Sequence, residues 1–144
     1  MCFYQIGSYY FIRFISKDKF IANHMELIVK ILIAGIALLH LYFLWFEMFA
    51  WETRGKKIFR SLPAELFKPT KTLAANQGLY NGFLAAGLIW SLFIRNPEWW
   101  IYVAIFFLSC VIIAGIYGAI SATKKIFVVQ ALPAILTLVL LHFI

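Results

Sequence analysis

Two ionisable side chains, His40 and Glu47, interrupt an apolar stretch of the sequence and could take part in proton transfer or in ligand binding. They are seven residues apart, about two turns of a helix, so both would lie on one helical face. Ionisable groups are costly to place in an apolar helix, and by default they indicate a functional site. We therefore expect this face to point into the protein.

Four hydrogen-bonding side chains lie within a second apolar stretch, LAANQGLYNGFLAAG, which begins at Leu73. Asn76 with Tyr80, and Gln77 with Asn81, are four residues apart and would form two adjoining stripes on a helix. Amides at this spacing could orient a bound ligand, or they could hydrogen-bond to neighbouring helices and hold them together.

Counting residues from the ends of antiparallel helices brings these polar groups to similar depths. At 1.5 Å per residue, Glu47 falls within about 5 Å of the level of Asn76 and Gln77. The same count reaches polar side chains on two further helices. The predicted inward-facing ligand-binding cluster has eight members, which are His40, Glu47, Asn76, Gln77, Tyr80, Asn81, Tyr117 and Gln130.

Small residues at four-residue spacing accompany the polar groups. Gly78 and Gly82 form a GxxxG step, and Gly115 starts a similar step in the next apolar stretch. Such steps let helix backbones approach one another closely in membranes. Pro133 is expected to kink the last apolar stretch, because proline has no N–H for the helical hydrogen bond.

The composition excludes an ordinary water-soluble domain. Hydrophobic residues make up 64% of the chain and charged residues 13%, with a mean hydropathy of +0.88. Typical globular chains have about 45–50% and about 25%. The net charge is +7, but the basic residues cluster between apolar runs instead of forming a nucleic-acid footprint, so the lipid bilayer is the expected partner.

Four apolar runs predict four membrane-spanning helices, at about 27–50, 72–94, 99–122 and 126–144. Each run is close to the roughly 20 residues that cross a bilayer. Backbone groups in lipid must be hydrogen-bonded internally, so the runs should be helical. Short connections make neighbouring helices antiparallel, and the predicted fold is an all-α, up-down bundle of four transmembrane helices.

The basic residues predict the orientation of this bundle in the cell membrane. Eight of them lie in the loops 52–71 and 123–125, whereas the loop between the second and third runs holds only Arg95. The positive-inside rule places 52–71 and 123–125 in the cytoplasm and the C-terminus outside.

The first 24 residues do not fit this arrangement. They are aromatic and basic, and too short and interrupted to span a membrane. Met25 opens a stretch that reads like a natural start, so we expect translation to begin there and 25–144 to form a single domain. The alternative is that residues 1–24 form an interfacial segment.

The motifs together resemble a known family. The stretches MELIVKILIAGIALLHLYFLWFEMFAW, ANQGLYNGFLAAGL and VVQALPAI look like small bacterial integral membrane proteins classed as domain of unknown function 1304. The resemblance runs from Met25 to the C-terminus. It implies a four-helix membrane protein without an assigned activity, and it supports the start at Met25.

Three functions remain open from the sequence. The first is binding or transport of a small or amphipathic ligand, in which a homodimer could complete a transport path. The second is an intramembrane enzyme that uses Glu47 and His40 as acid and base on a lipid-like substrate. The third is a structural or accessory subunit. No nucleotide, hydrolase or metalloprotease motif is found, and His40 with Glu47 would give a metal only two strong ligands, so no cofactor is expected.

Overall fold

The computed structural model describes residues 2–60 and 62–144, with side chains from residue 20 onward except at 61. All the regular secondary structure in this part of the chain is helical. It contains five α-helices, which are α1 (Cys2–Phe49), α2 (Lys56–Ile58), α3 (Lys71–Phe93), α4 (Trp99–Ser121) and α5 (Leu132–Leu141). A π-helical turn, Trp51–Gly55, follows α1, and a second one, Phe127–Ala131, leads directly into α5.

The predicted apolar runs correspond to the four long helices, and the prediction of an all-α fold is confirmed. The four membrane spans stay a prediction. Two described stretches, Phe20–Phe49 and Trp99–Ser121, are long and apolar enough to cross a membrane. Helix α3 has 23 residues, but the amides near its start lower its mean hydropathy. The last apolar helix, Phe127–Leu141, is shorter than a usual span.

The four long helices pack as a ring. α1 contacts α3 and α5, and α4 contacts α3, α5 and the turn before α5. Their shared core consists of aliphatic and small side chains with little or no exposed area, among them Ile33, Leu88, Leu108 and Ala134. Burial of these side chains is what holds the helices in register around the polar groups.

Glycines set the closest helix contacts, as the small-residue spacing predicts. A Cβ added at Gly78 would lie 3.0 Å from the Leu44 carbonyl oxygen and 2.9 Å from Met48 Cγ of α1. A Cβ at Gly115 of α4 would lie 2.8 Å from the backbone nitrogen of Ala131. Real Cβ atoms rarely approach other atoms this closely, so a side chain at either glycine would force the neighbouring helix to shift. The predicted close packing is confirmed.

Residues 2–24 belong to the same helix, α1, as the first apolar run. At 1.5 Å per residue, the 48 residues of α1 extend about 72 Å, more than twice the hydrocarbon thickness of a bilayer. The interfacial-segment alternative depends largely on side chains before residue 20, which lie outside the described residues. The start at Met25 stays a prediction.

The connection from α1 to α3 is held by aromatic and polar contacts. Trp51 Nε1 donates a hydrogen bond to Thr70 Oγ1 at 3.1 Å, and the Trp51 ring packs on buried Phe67 with centroids 5.2 Å apart. Glu52 and Lys71 form an ion pair of 2.8 Å. These contacts fix the end of α1 beside the start of α3, which is where the candidate site lies.

Candidate functional site

Glu47 of α1 is bonded to Asn81 of α3. The Asn81 Nδ2 group donates to Glu47 Oε2 at 2.7 Å and makes a longer contact of 3.4 Å with the backbone oxygen of Gln77. Asn81 is buried, with 5% of its surface exposed, whereas Glu47 is half-buried. The buried amide therefore holds one side of a carboxylate that is otherwise partly open.

Local packing explains why this pair forms. Gly78 and Asn81 are three residues apart, so they share the face of α3 that meets α1. A Cβ at Gly78 would be 3.0 Å from Glu47 Cβ, which shows how close the two helices lie at this level. Among the described residues, no side chain hydrogen-bonds to Glu47 Oε1, and no buried side-chain polar atom lacks a partner. Oε1 is thus open to the surroundings of the protein.

His40 and Gln130 form a second polar pair deeper in the bundle. His40 has no exposed surface, and its Nδ1 lies 2.8 Å from the Ile36 carbonyl oxygen. Gln130 Nε2 lies 3.4 Å from His40 Nε2. Since a carbonyl can only accept, Nδ1 carries the proton, and the bare Nε2 accepts from the glutamine amide. This assignment describes a neutral imidazole that joins α1 to the turn before α5.

The irregular turn Phe127–Ala131 positions Gln130. Pro133 has no N–H for the carbonyl of Val129, so the regular helical ladder cannot continue through this point. The wider π-helical turn accommodates the hydrogen bond that Pro133 cannot make. Turns of this type are frequent at functional sites. The π-helical turn before Pro133 includes Gln130, the residue that contacts His40, and the expected kink at Pro133 stays a prediction.

The other four candidate residues do not face the interior. Asn76 and Gln77 are exposed, and so are Tyr80 and Tyr117, with 54% and 72% of their surfaces accessible. Tyr80 and Tyr117 each lie two residues from a helix-contacting glycine, about 200° around the helix axis. The expected cluster of eight inward-facing residues is thereby corrected to two separate pairs, both anchored on α1.

The predicted site residues do not include a group of polar contacts at the opposite end of the bundle. Lys30 pairs with Glu26 on α1, and its Nζ lies 4.8 Å from the centre of the Trp100 ring. The four-residue spacing of Glu26 and Lys30 is a signal that the sequence already contains. Within the part of the chain that the structure describes, no three His, Cys, Asp or Glu side chains are grouped to hold a metal ion.

The fold is that of a small all-helical protein, and two of its described helices are apolar enough to cross a membrane. The chain belongs to the family described as protein of unknown function (DUF1304), whose model matches residues 34–142. The resemblance drawn from the motifs is confirmed, and all eight candidate residues lie within the matched range.

A relative is similar over most of its length. It is the uncharacterized protein YpaA of Lactococcus lactis subsp. lactis (strain IL1403), which is 31% identical over 117 residues. The match covers 80% of this chain and 97% of the relative. No solved structure matches the chain.

Proposed function

We propose that the chain is a four-span membrane protein that binds a small amphipathic cation at Glu47. The spacing of polar groups along the bundle supports the membrane position. Lys30 and Trp100 mark one level, and Glu52 with Lys71 marks the other. From Lys30 to Phe49, where α1 ends just before Glu52, the 19 residues rise about 29 Å, close to the roughly 30 Å of hydrocarbon in a bilayer.

Two of the proposed spans, α3 and the short final helix, are less apolar or shorter than usual, and both pack against other helices of the bundle. Helix α3 turns Gly78 and Asn81 toward α1, and the short final helix buries Ala134 and Thr137 against its neighbours. In the proposed orientation, loops 52–71 and 123–125 face the cytoplasm and the C-terminus lies outside. Glu47 then lies near the cytoplasmic end of the first span.

The observation that carries the binding proposal is the half-open carboxylate of Glu47. Asn81 holds Oε2 at 2.7 Å, while Oε1 has no side-chain partner among the described residues. A carboxylate in or near hydrocarbon is costly unless it is paired. A cation with apolar substituents would pair with Oε1 and remain compatible with the surrounding apolar helices.

Binding of tetraphenylphosphonium, a lipophilic cation, to the purified full-length protein in nanodiscs tests this proposal. Glu47→Gln keeps an oxygen that can accept from Asn81, so the helix contact survives and only the charge is lost. We expect binding to weaken roughly tenfold or more, because the substitution removes the Coulomb attraction between the carboxylate and the cation, and two opposite unit charges about 5 Å apart attract by about 3 kcal/mol at an effective dielectric constant of about 20. Glu65→Gln, at an exposed loop position, is the matched control and should bind like the wild type.

Equal binding by the wild type and Glu47→Gln would refute the proposed site. So would failure of the wild type to bind a set of lipophilic cations that differ in size. A loss shared equally by Glu65→Gln would show a general effect of charge rather than a site at Glu47.

A structural role is the second candidate. Each polar pair joins α1 to another helical segment through a hydrogen bond between its two members. That role predicts that Asn81→Ala lowers stability while no cation binds. The enzyme alternative has less support. His40 is fully buried with both ring nitrogens engaged, and Glu47 bonds to Asn81 instead of completing an acid–base pair with His40.

A further inference from the structure

A cavity of about 450 Å³ lies at the opposite end of the bundle from Glu47. It is formed by the outer part of α1, the end of α3, and the connection to α4. Its walls combine charged and apolar side chains, which include Glu26, Lys30, Phe93, Ile94, Arg95 and Trp100. The size is within the range of small-molecule sites, which is about 300–1,000 Å³.

The two basic side chains of this cavity differ in their contacts. Lys30 is held by Glu26 and by the face of the Trp100 ring, so its position is fixed. Arg95 is exposed, and no carboxylate among the described residues lies within ion-pair distance of it. Among the described residues that line the cavity, two cations and one carboxylate give one net positive charge.

The start of α4 does not provide the binding groups. Asn96 Oδ1 already accepts from the backbone N–H groups of Glu98 and Trp99, both at 3.0 Å. An anion in the cavity would therefore be recognised by side chains. Arg95 is suited to this role, because its planar guanidinium can donate two parallel hydrogen bonds to phosphate oxygens.

We propose that this cavity binds a phosphate group, with Arg95 as its main donor and Lys30 as a second charge. Phe93 is 78% exposed beside it, and Ile94 is half-buried, so an apolar chain attached to the phosphate could lie along this wall. This site is separate from the proposed cation site at Glu47. Of the proposed function, it relies only on the position of the bundle in the membrane. A phospholipid headgroup and free phosphate present the same recognition chemistry.

Native mass spectrometry of the full-length protein titrated with phosphatidylglycerol tests the proposal. We expect the wild type to retain one phosphatidylglycerol molecule and Arg95→Gln to bind it roughly fivefold more weakly, the effect of about 1 kcal/mol for one basic residue near anionic lipid. Arg54→Gln, which removes an exposed arginine at the other end of the bundle, is the matched control and should retain the lipid. Arg95→Lys should restore part of the affinity.

Inorganic phosphate in a parallel thermal-unfolding assay separates the two sources. Protection of the wild type by phosphate, lost in Arg95→Gln and without lipid retention, would support the site with free phosphate as its ligand. Equal lipid retention and equal phosphate protection in Arg95→Gln and Arg54→Gln would overturn the proposal. Glu47→Gln should retain the lipid, so failure of the cation site and failure of this site are distinguishable.

Discussion

Replacing Gly78 by alanine tests the close approach of α1 and α3 that holds Glu47 beside Asn81. The new Cβ would lie 2.9 Å from Met48 Cγ, 3.0 Å from Glu47 Cβ and 3.0 Å from the Leu44 carbonyl oxygen. The backbone oxygen cannot move aside as a flexible side chain can. Overpacking of this kind costs about 1–3 kcal/mol.

Gly35→Ala is the matched control, because a Cβ at Gly35 of α1 would meet nothing within 4 Å. Both variants gain the higher helix propensity of alanine, about 1 kcal/mol. That gain cancels in the comparison, so Gly78→Ala should be less stable than Gly35→Ala by about 1–3 kcal/mol.

Unfolding in SDS, followed by far-ultraviolet circular dichroism, measures this difference. We expect Gly35→Ala to unfold at the same or a higher SDS fraction than the wild type, and Gly78→Ala at a lower fraction than Gly35→Ala. If the two substitutions shift the transition equally, the helices are not in contact at Gly78, and the geometry inferred for the Glu47–Asn81 pair fails with it.

Two further predictions concern the remaining polar contacts. Gln130→Ala should lower the free energy of unfolding by about 1 kcal/mol, because it removes the donor to the buried His40 Nε2, whereas Gln77→Ala at an exposed position should change it by less than about 0.5 kcal/mol in the same SDS assay. The hydrogen bond and charge of Lys71 hold the pKa of Glu52 below its ordinary value. Since the folded pKa is the lower one, the ion pair stabilises the protein above the unfolded pKa and loses this effect as pH falls. Glu52→Gln should therefore be less stable than the wild type at neutral pH, and thermal unfolding should show the difference disappearing below about pH 4.

The sequence predicts the helices well because their determinants are local. The runs 72–94 and 99–122 differ from α3 and α4 by no more than one residue at each end. Apolar length, the absence of proline within these runs, and charged flanks are enough to place helix boundaries. The depth of Glu47 relative to the start of α3 also follows from simple counting, because neighbouring helices are antiparallel and each residue rises 1.5 Å.

The direction in which each polar side chain points could not be read from depth alone. Asn76 and Tyr80 lie at suitable levels, but both are on the exposed side of α3. Gly78 determines this outcome, because the face that carries it must turn toward α1, and residues two positions away are turned about 200° from it. A prediction that used the glycine face as the inner face would have kept Asn81 and excluded Tyr80.

Close helix packing also sets the direction of the polar side chains in the third and fourth apolar runs. Gly115 packs on Ala131, so Tyr117 is directed away from the bundle while Gln130 is brought near His40. The π-helical turn that places Gln130 depends on Pro133 and on packing against α4 together. Only the proline is visible in the sequence, and the packing depends on the tertiary fold.

We propose that the open side of the Glu47 carboxylate binds a lipophilic cation. Crystals grown in a lipid mesophase with tetraphenylarsonium test it directly, because arsenic gives an anomalous signal that locates the bound cation. We expect an arsenic peak beside Glu47 Oε1, with Asn81 still bonded to Oε2 and no peak at this position in Glu47→Gln. An arsenic peak only elsewhere on the protein, with the Glu47–Asn81 bond intact, would contradict it.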